Sequence, residues 1–68
     1  MNAVEEMFDL HRVAGLLGID ERTVWRRVAD GTLRKPVRVG RAVRWFESDI
    51  ATYQQKLREE RGDKRNQL

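Results

Sequence analysis

A chain of 68 residues, 40% hydrophobic and 37% charged, bounds a single small domain, and one of this size buries only about 60% of the surface its unfolded form exposes. It has no cysteine, which excludes a disulfide framework and a thiolate metal site, leaves packing to stabilise the core, and fits a reducing, cytoplasmic setting. No apolar run is long enough for a membrane span, and Met1 to Glu6 carries two acids and no apolar stretch of the kind a secretory signal needs.

The formal net charge of +3 hides a segregation. From Arg22 to Arg44 there are eight basic residues (Arg22, Arg26, Arg27, Arg34, Lys35, Arg38, Arg41, Arg44) against one acid, Asp30, a net +7, whereas the rest has six basic residues against ten acids, a net −4. Positive charge gathered on one stretch is what a polyanionic partner requires.

In chain order, residues 1–8 read as an N-terminal extension. Leu10, Val13, Leu16 and Leu17 then recur at helical spacing, with Asp9 placed to cap and Gly18 to end the helix in a left-handed conformation, so the first helix is expected over Leu10 to Leu17. Ile19 is an apolar plug in the turn. Asp20 caps a second helix from Glu21 to about Ala29, which Gly31 stops. The intervening Gly18, Ile19 and Asp20 form the short glycine-containing connection of a helix-turn-helix unit. On the second helix Val24 and Val28 share one face, Arg22, Thr23 and Arg26 the opposite one, with Arg27 and Asp30 at its edge. Trp25 falls between the faces, as a boundary aromatic covering the core or as a stacking surface for nucleic acid.

After Lys35 and Pro36, the residues Val37, Val39, Val43 and Trp45 are interleaved with Arg38 and Arg44 and read as a hairpin. Two rules compete over its register. Gly40-Arg41 suits a two-residue loop with glycine first, but a three-residue loop, Gly40 to Ala42, pairs Val39 with Val43, Val37 with Trp45 and Arg38 with Arg44, giving one wholly apolar face. The second register is expected, because a face to be buried fixes pairing. It sets two arginines opposite each other, a repulsion that a phosphate backbone would relieve. Glu47 or Ser48 then caps a third helix, with Asp49 in its first turn and Ile50, Tyr53 and Leu57 as an inward stripe. From Arg58 to Leu68 the chain is nearly devoid of apolar residues and reads as a fraying, disordered, charged tail. The expected fold is thus mostly α with a small β-hairpin, a winged helix-turn-helix over residues 9–57.

Catalytic chemistry is poorly supported, and the chain is expected not to be an enzyme. His11, the only histidine, has no cysteine or second histidine with which to share a metal and reads as a solvated side chain. Tyr53 invites comparison with a recombinase nucleophile but sits in the apolar stripe, as a core residue would. The pairs Glu5/Glu6 and Glu59/Glu60 read as solvated charge near the termini. Gly15 and Gly18 lack the spacing of a phosphate-binding loop. No metal, cofactor, small-molecule substrate or membrane is expected. Arg22, Thr23, Arg26 and Arg27 instead supply a recognition helix, since arginine bonds guanine bidentately and threonine suits thymine or phosphate. Arg38, Gly40, Arg41 and Arg44 supply a wing, with Arg41 at its tip suited to a narrow minor groove, and Arg34 and Lys35 add phosphate contacts. Double-stranded DNA is therefore the expected partner.

The stretch from Met7 to Leu57, with VAGLLGID at the turn, ERTVWRRVADGTL over the second helix and above all KPVRVGRAVRWFESDI, resembles the AlpA-like and phage excisionase group of winged-helix proteins, relatives of the DNA-binding part of MerR regulators. The resemblance implies a recombination directionality factor that binds repeated sites at a prophage attachment region in the bacterial host cytoplasm, bends the DNA and directs an integrase toward excision, or else a small transcriptional regulator. It matches Arg22, Thr23 and Arg26 to groove-facing positions and Arg41 to the wing tip. Arg27 departs from the pattern, since relatives often carry an apolar residue there. On the excisionase reading, an integrase and neighbouring copies of the chain on DNA become expected partners. A protein-interaction module using the third helix and tail, without nucleic acid, is the expectation from another class.

Overall fold

A computed structural model describes residues 4–62. It contains three helices and a three-stranded antiparallel sheet, in the order β1 (Met7–Phe8), α1 (Leu10–Leu17), α2 (Glu21–Ala29), β2 (Val37–Val39), β3 (Ala42–Phe46) and α3 (Glu47–Arg61). The strand order is β1-β3-β2, so the longest strand is central and the two short ones are edges.

The bounds of α1 and α2 follow from local capping. Asp9 accepts a hydrogen bond from the Arg12 N–H at 2.8 Å and Asp20 one from the Thr23 N–H at 2.8 Å, each satisfying one of the amide donors that a helix start leaves unpaired. Gly18 ends α1 at φ 69°, in the left-handed region that disfavours other residues, and its N–H returns to the last turn. Ile19 then packs against the core, and the chain re-enters a helix at Glu21.

Phe8, Val13, Ala14, Val24, Leu33, Trp45, Ile50 and Tyr53 form the core, with Leu10, Leu17, Ile19, Val28 and Val43 packed around them. Trp45 is its centre: fully buried, on the central strand, with its indole N–H donating to the Arg34 carbonyl at 2.9 Å. That bond satisfies the one polar atom of a side chain otherwise suited to burial and pins the segment entering the hairpin. Leu33, inside a loop, is buried almost completely.

Three expectations are corrected. Residues 1–8 are not wholly an extension, because Met7 pairs with Phe46 and Phe8 with Trp45, making β1 an edge of the sheet and Phe8 a core residue. The N-cap of α3 is Phe46 rather than Glu47 or Ser48. Phe46 has no side-chain acceptor, so the helix start is satisfied from elsewhere: Asp49 accepts from the Phe46 N–H at 3.0 Å, Glu5 accepts from the Ser48 N–H at 3.0 Å, and the Glu6 carbonyl accepts from the Glu47 N–H at 3.0 Å. Glu5 is therefore a capping residue for a helix more than forty positions away, and its carboxylate sits where the helix dipole favours it. Finally, α3 does not fray at Arg58 but continues to Arg61, where Gly62 closes it. Ile50 and Tyr53 are buried as the stripe requires, whereas Leu57 is exposed because the helix outruns the core. The rest of the expected tail, residues 63–68, lies outside the described residues, as do residues 1–3. Among the described residues no helix is long and apolar enough to cross a membrane.

Candidate nucleic-acid interface

The α2 helix sets its side chains by a simple rule. Val24 is fully buried and Val28 packs on the core, and at about 100° per residue Arg22 and Arg26 project to the opposite side, roughly 40° apart. Both are exposed. Neither has a described carboxylate within ion-pair distance.

Thr23 and Arg27 flank this face and are half-buried. Thr23 belongs partly to the helix start: hydrogen bonds from its side chain, then from its backbone N–H, hold the Asp20 carboxyl below its ordinary value of 3.8, with the charges of Arg22 and Arg26 adding to the effect. Arg27 lies 3.2 Å from Asp30 in an i, i+3 ion pair, and its Nε is buried without a partner. The Asp30 carboxylate also accepts from the Thr32 hydroxyl and, at 2.9 Å, from the Thr32 N–H. Those bonds, the side-chain one foremost and Arg27 among the lesser causes, lower its pKa as well. The Arg27 carbonyl accepts from the N–H groups of Thr32 and Leu33 at 3.1 Å each. Arg27 is thus built into the turn that ends α2, and its charge is already matched.

Beyond this turn Arg34 is largely exposed, with Nε 3.8 Å from Asp49, at the outer limit of an ion pair. Lys35 is exposed with no described acidic partner.

In the hairpin the structure corrects the expected register. Val37 pairs with Arg44, Arg38 with Val43 and Val39 with Ala42, around the two-residue loop Gly40-Arg41. Gly40 has φ 63° and Arg41 does not adopt positive φ, the pattern of a type II′ turn with glycine first. The turn chemistry wins because the apolar face that favoured the other register is not all buried: Val43 and Trp45 face the core, but Val37 is 38% and Val39 52% exposed. Directly paired residues of an antiparallel ladder share a face. Arg38 therefore lies on the Val43–Trp45 side of the sheet and Arg44 on the other, with Val37. The expected repulsion between them does not arise. Arg44 is half-buried and donates to the Val43 carbonyl at 2.8 Å, while Arg38 and Arg41 are exposed and without a described acidic partner.

The α2 helix touches the sheet through a pair of tryptophans. Trp25, on α2, packs its ring against Trp45 at 5.5 Å between centroids and 52° between planes, while 41% of the residue is exposed. Arg38 thus shares a sheet face with the tryptophan that α2 touches. Periodicity sets Trp25 at the boundary between the helix faces and allows it either core cover or a stacking role, but spacing does not reveal its neighbour across the fold.

Among the described residues the other titratable groups are dispersed. His11 is exposed and its Nδ1 is 3.4 Å from Glu21, and Tyr53 is buried in the core. Among the described residues no group of three or more His, Cys, Asp or Glu side chains comes together as metal ligands would. An open groove of about 230 Å³ is lined by Phe8, Leu16, Glu47, Ile50, Ala51 and Gln54. No family model matches the chain, and no curated protein or solved structure matches it either.

Proposed function

We propose that the protein binds double-stranded DNA as a small winged helix, with α2 as its recognition helix and the β2–β3 hairpin as its wing, and that it performs no catalysis. The observation that carries this reading is the pair Arg22 and Arg26: exposed on one face of α2, opposite buried Val24, without a described carboxylate to neutralise them. Paired arginines one helical turn apart match the reach of base edges and phosphates in a major groove. Lys35, Arg38 and Arg41 extend the cationic surface toward flanking phosphates, with Arg41 at the hairpin tip. Thr23 retains a groove-facing role at the helix flank, while Arg27 and Arg44 act chiefly in shaping the scaffold. Arg34 reaches a phosphate by releasing its long contact to Asp49.

The biological role within this reading is that of a phage excisionase, an architectural factor that binds attachment-site DNA beside neighbouring copies and steers an integrase toward excision in the host cytoplasm. This finer step is supported by the sequence resemblance. A labelled-duplex titration tests the first level: replacing Arg26 and Arg41 with alanine markedly weakens retention of DNA, and full retention by that variant overturns the reading. A recombination assay tests the second. Excision is stimulated and integration inhibited when the protein is added to its integrase. An altered transcript level without any integrase would assign it instead to a small regulator on the same fold.

A further inference from the structure

Trp25 stands out among the exposed residues of α2. It lies roughly 60° around the helix from Arg22, on the side away from Arg26, and its ring rests on Trp45 of β3. It therefore sits where α2 meets the sheet face that carries Arg38. The residue is 41% exposed on the helix that carries Arg22 and Arg26, although burying a large aromatic would stabilise so small a domain. The neighbouring Trp45 is fully buried with its indole N–H bonded to the Arg34 carbonyl, whereas the Trp25 N–H has no hydrogen-bond partner among the described residues. The pair thus divides into one locked ring and one ring supported beneath and open above, with an unused donor.

We propose that Trp25 is a contact residue for the sugar–phosphate backbone of duplex DNA, its ring covering a deoxyribose and its indole N–H donating to a phosphate oxygen between the contacts of Arg22 and Arg38. This rests on the reading of the surface as a duplex-binding one. The backbone is favoured over a base as the target because the ring is fixed against Trp45. Entering a base stack would require leaving that contact and unstacking a base step, at about a few kcal/mol, whereas an edge held in the seam meets a phosphate ridge without moving. Contacts of this class set register and affinity and carry no sequence information.

The chain has only two tryptophans, so fluorescence separates their roles. In the free protein acrylamide quenches the Trp25 component, and a saturating duplex protects it. Trp25→Phe, which keeps a ring on Trp45 but removes the N–H, leaves only the poorly quenched Trp45 emission and lowers duplex affinity about tenfold, the order expected for one charge-assisted hydrogen bond with its share of ring contact. The loss is the same on unrelated duplex sequences. If the wild-type protein binds duplex by anisotropy while Trp25 stays fully quenchable and Trp25→Phe binds equally well, the proposal is overturned and the DNA reading stands. A loss confined to one sequence assigns Trp25 to a base and overturns the backbone assignment. Absence of duplex binding by the wild-type protein overturns both. Should Trp25→Phe fail to fold, the protection of the wild-type protein decides alone.

Discussion

Arg22 and Arg26 on α2, and Arg38 and Arg44 on the hairpin, are both arginine pairs an even number of residues apart, yet only the first pair shares a face. On the helix a separation of four returns nearly to the same azimuth. In the hairpin the faces depend on where the chain reverses, and the two-residue loop at Gly40-Arg41 sends Arg38 to the side of Trp45 and Arg44 to the side of Val37. A helix concentrates charge by arithmetic, whereas a hairpin divides or concentrates it according to a single turn. The cationic surface of this protein is accordingly asymmetric: strong and local on α2, carried on the hairpin mainly by Arg38 and Arg41.

The largest effect expected from this difference belongs to the helix. Replacing both Arg22 and Arg26 with alanine lowers duplex affinity about a hundredfold, at somewhat over 1 kcal/mol for each contact, as read by anisotropy of a labelled duplex. The same assay breaks or sharpens the comparison in the hairpin. Arg38→Ala costs about five- to tenfold, at the low end for a contacting arginine, and Arg44→Ala costs clearly less; equal losses would show that both sheet faces meet DNA. Arg27→Gln weakens binding less than Arg26→Gln, because Asp30 already neutralises Arg27.

A smaller effect tests the turn itself. A Cβ at Gly40 would meet nothing within 4 Å, so Gly40→Ala carries only the strain of φ 63°, a loss of about 1 kcal/mol in denaturant unfolding. The smallest concerns Asp20, whose carboxyl is held below 3.8 in the folded protein. A depressed folded value means that its stabilising contribution is fully present above pH 3.8 and is lost as pH falls through the lower folded value. Stability measured against pH in that acid range falls less steeply for Asp20→Asn than for the parent protein.

The legible parts of this fold were those decided within a few residues. Asp9, Gly18 and Asp20 each act on their own helix end, so the bounds of α1 and α2 could be read from spacing. The outward direction of Arg22 and Arg26 followed from the inward one of Val24. What escaped was non-local or a contest between local and non-local forces. β1 is two residues long and pairs with a strand on the far side of the chain, and Glu5 caps α3 across a separation of 43 residues; neither leaves a periodic trace. An alternating apolar pattern favours a hairpin register that buries Val37 and Val39, but this small core is already filled by Trp45, Leu33 and Phe8 and leaves them outside. In the candidate site, spacing hides the engagement of Arg27 by Asp30, because it sets both at the edge of one face, and the contact between Trp25 and Trp45, because it crosses twenty residues of loop and strand.

The salt dependence of duplex binding probes the central claim most directly, since it counts phosphates without needing the target sequence. With Arg22, Arg26, Lys35, Arg38 and Arg41 as the unmatched cations, the logarithm of affinity falls against the logarithm of salt concentration with a slope of about −4 to −5. A slope near zero, or no complex at low ionic strength, would contradict it.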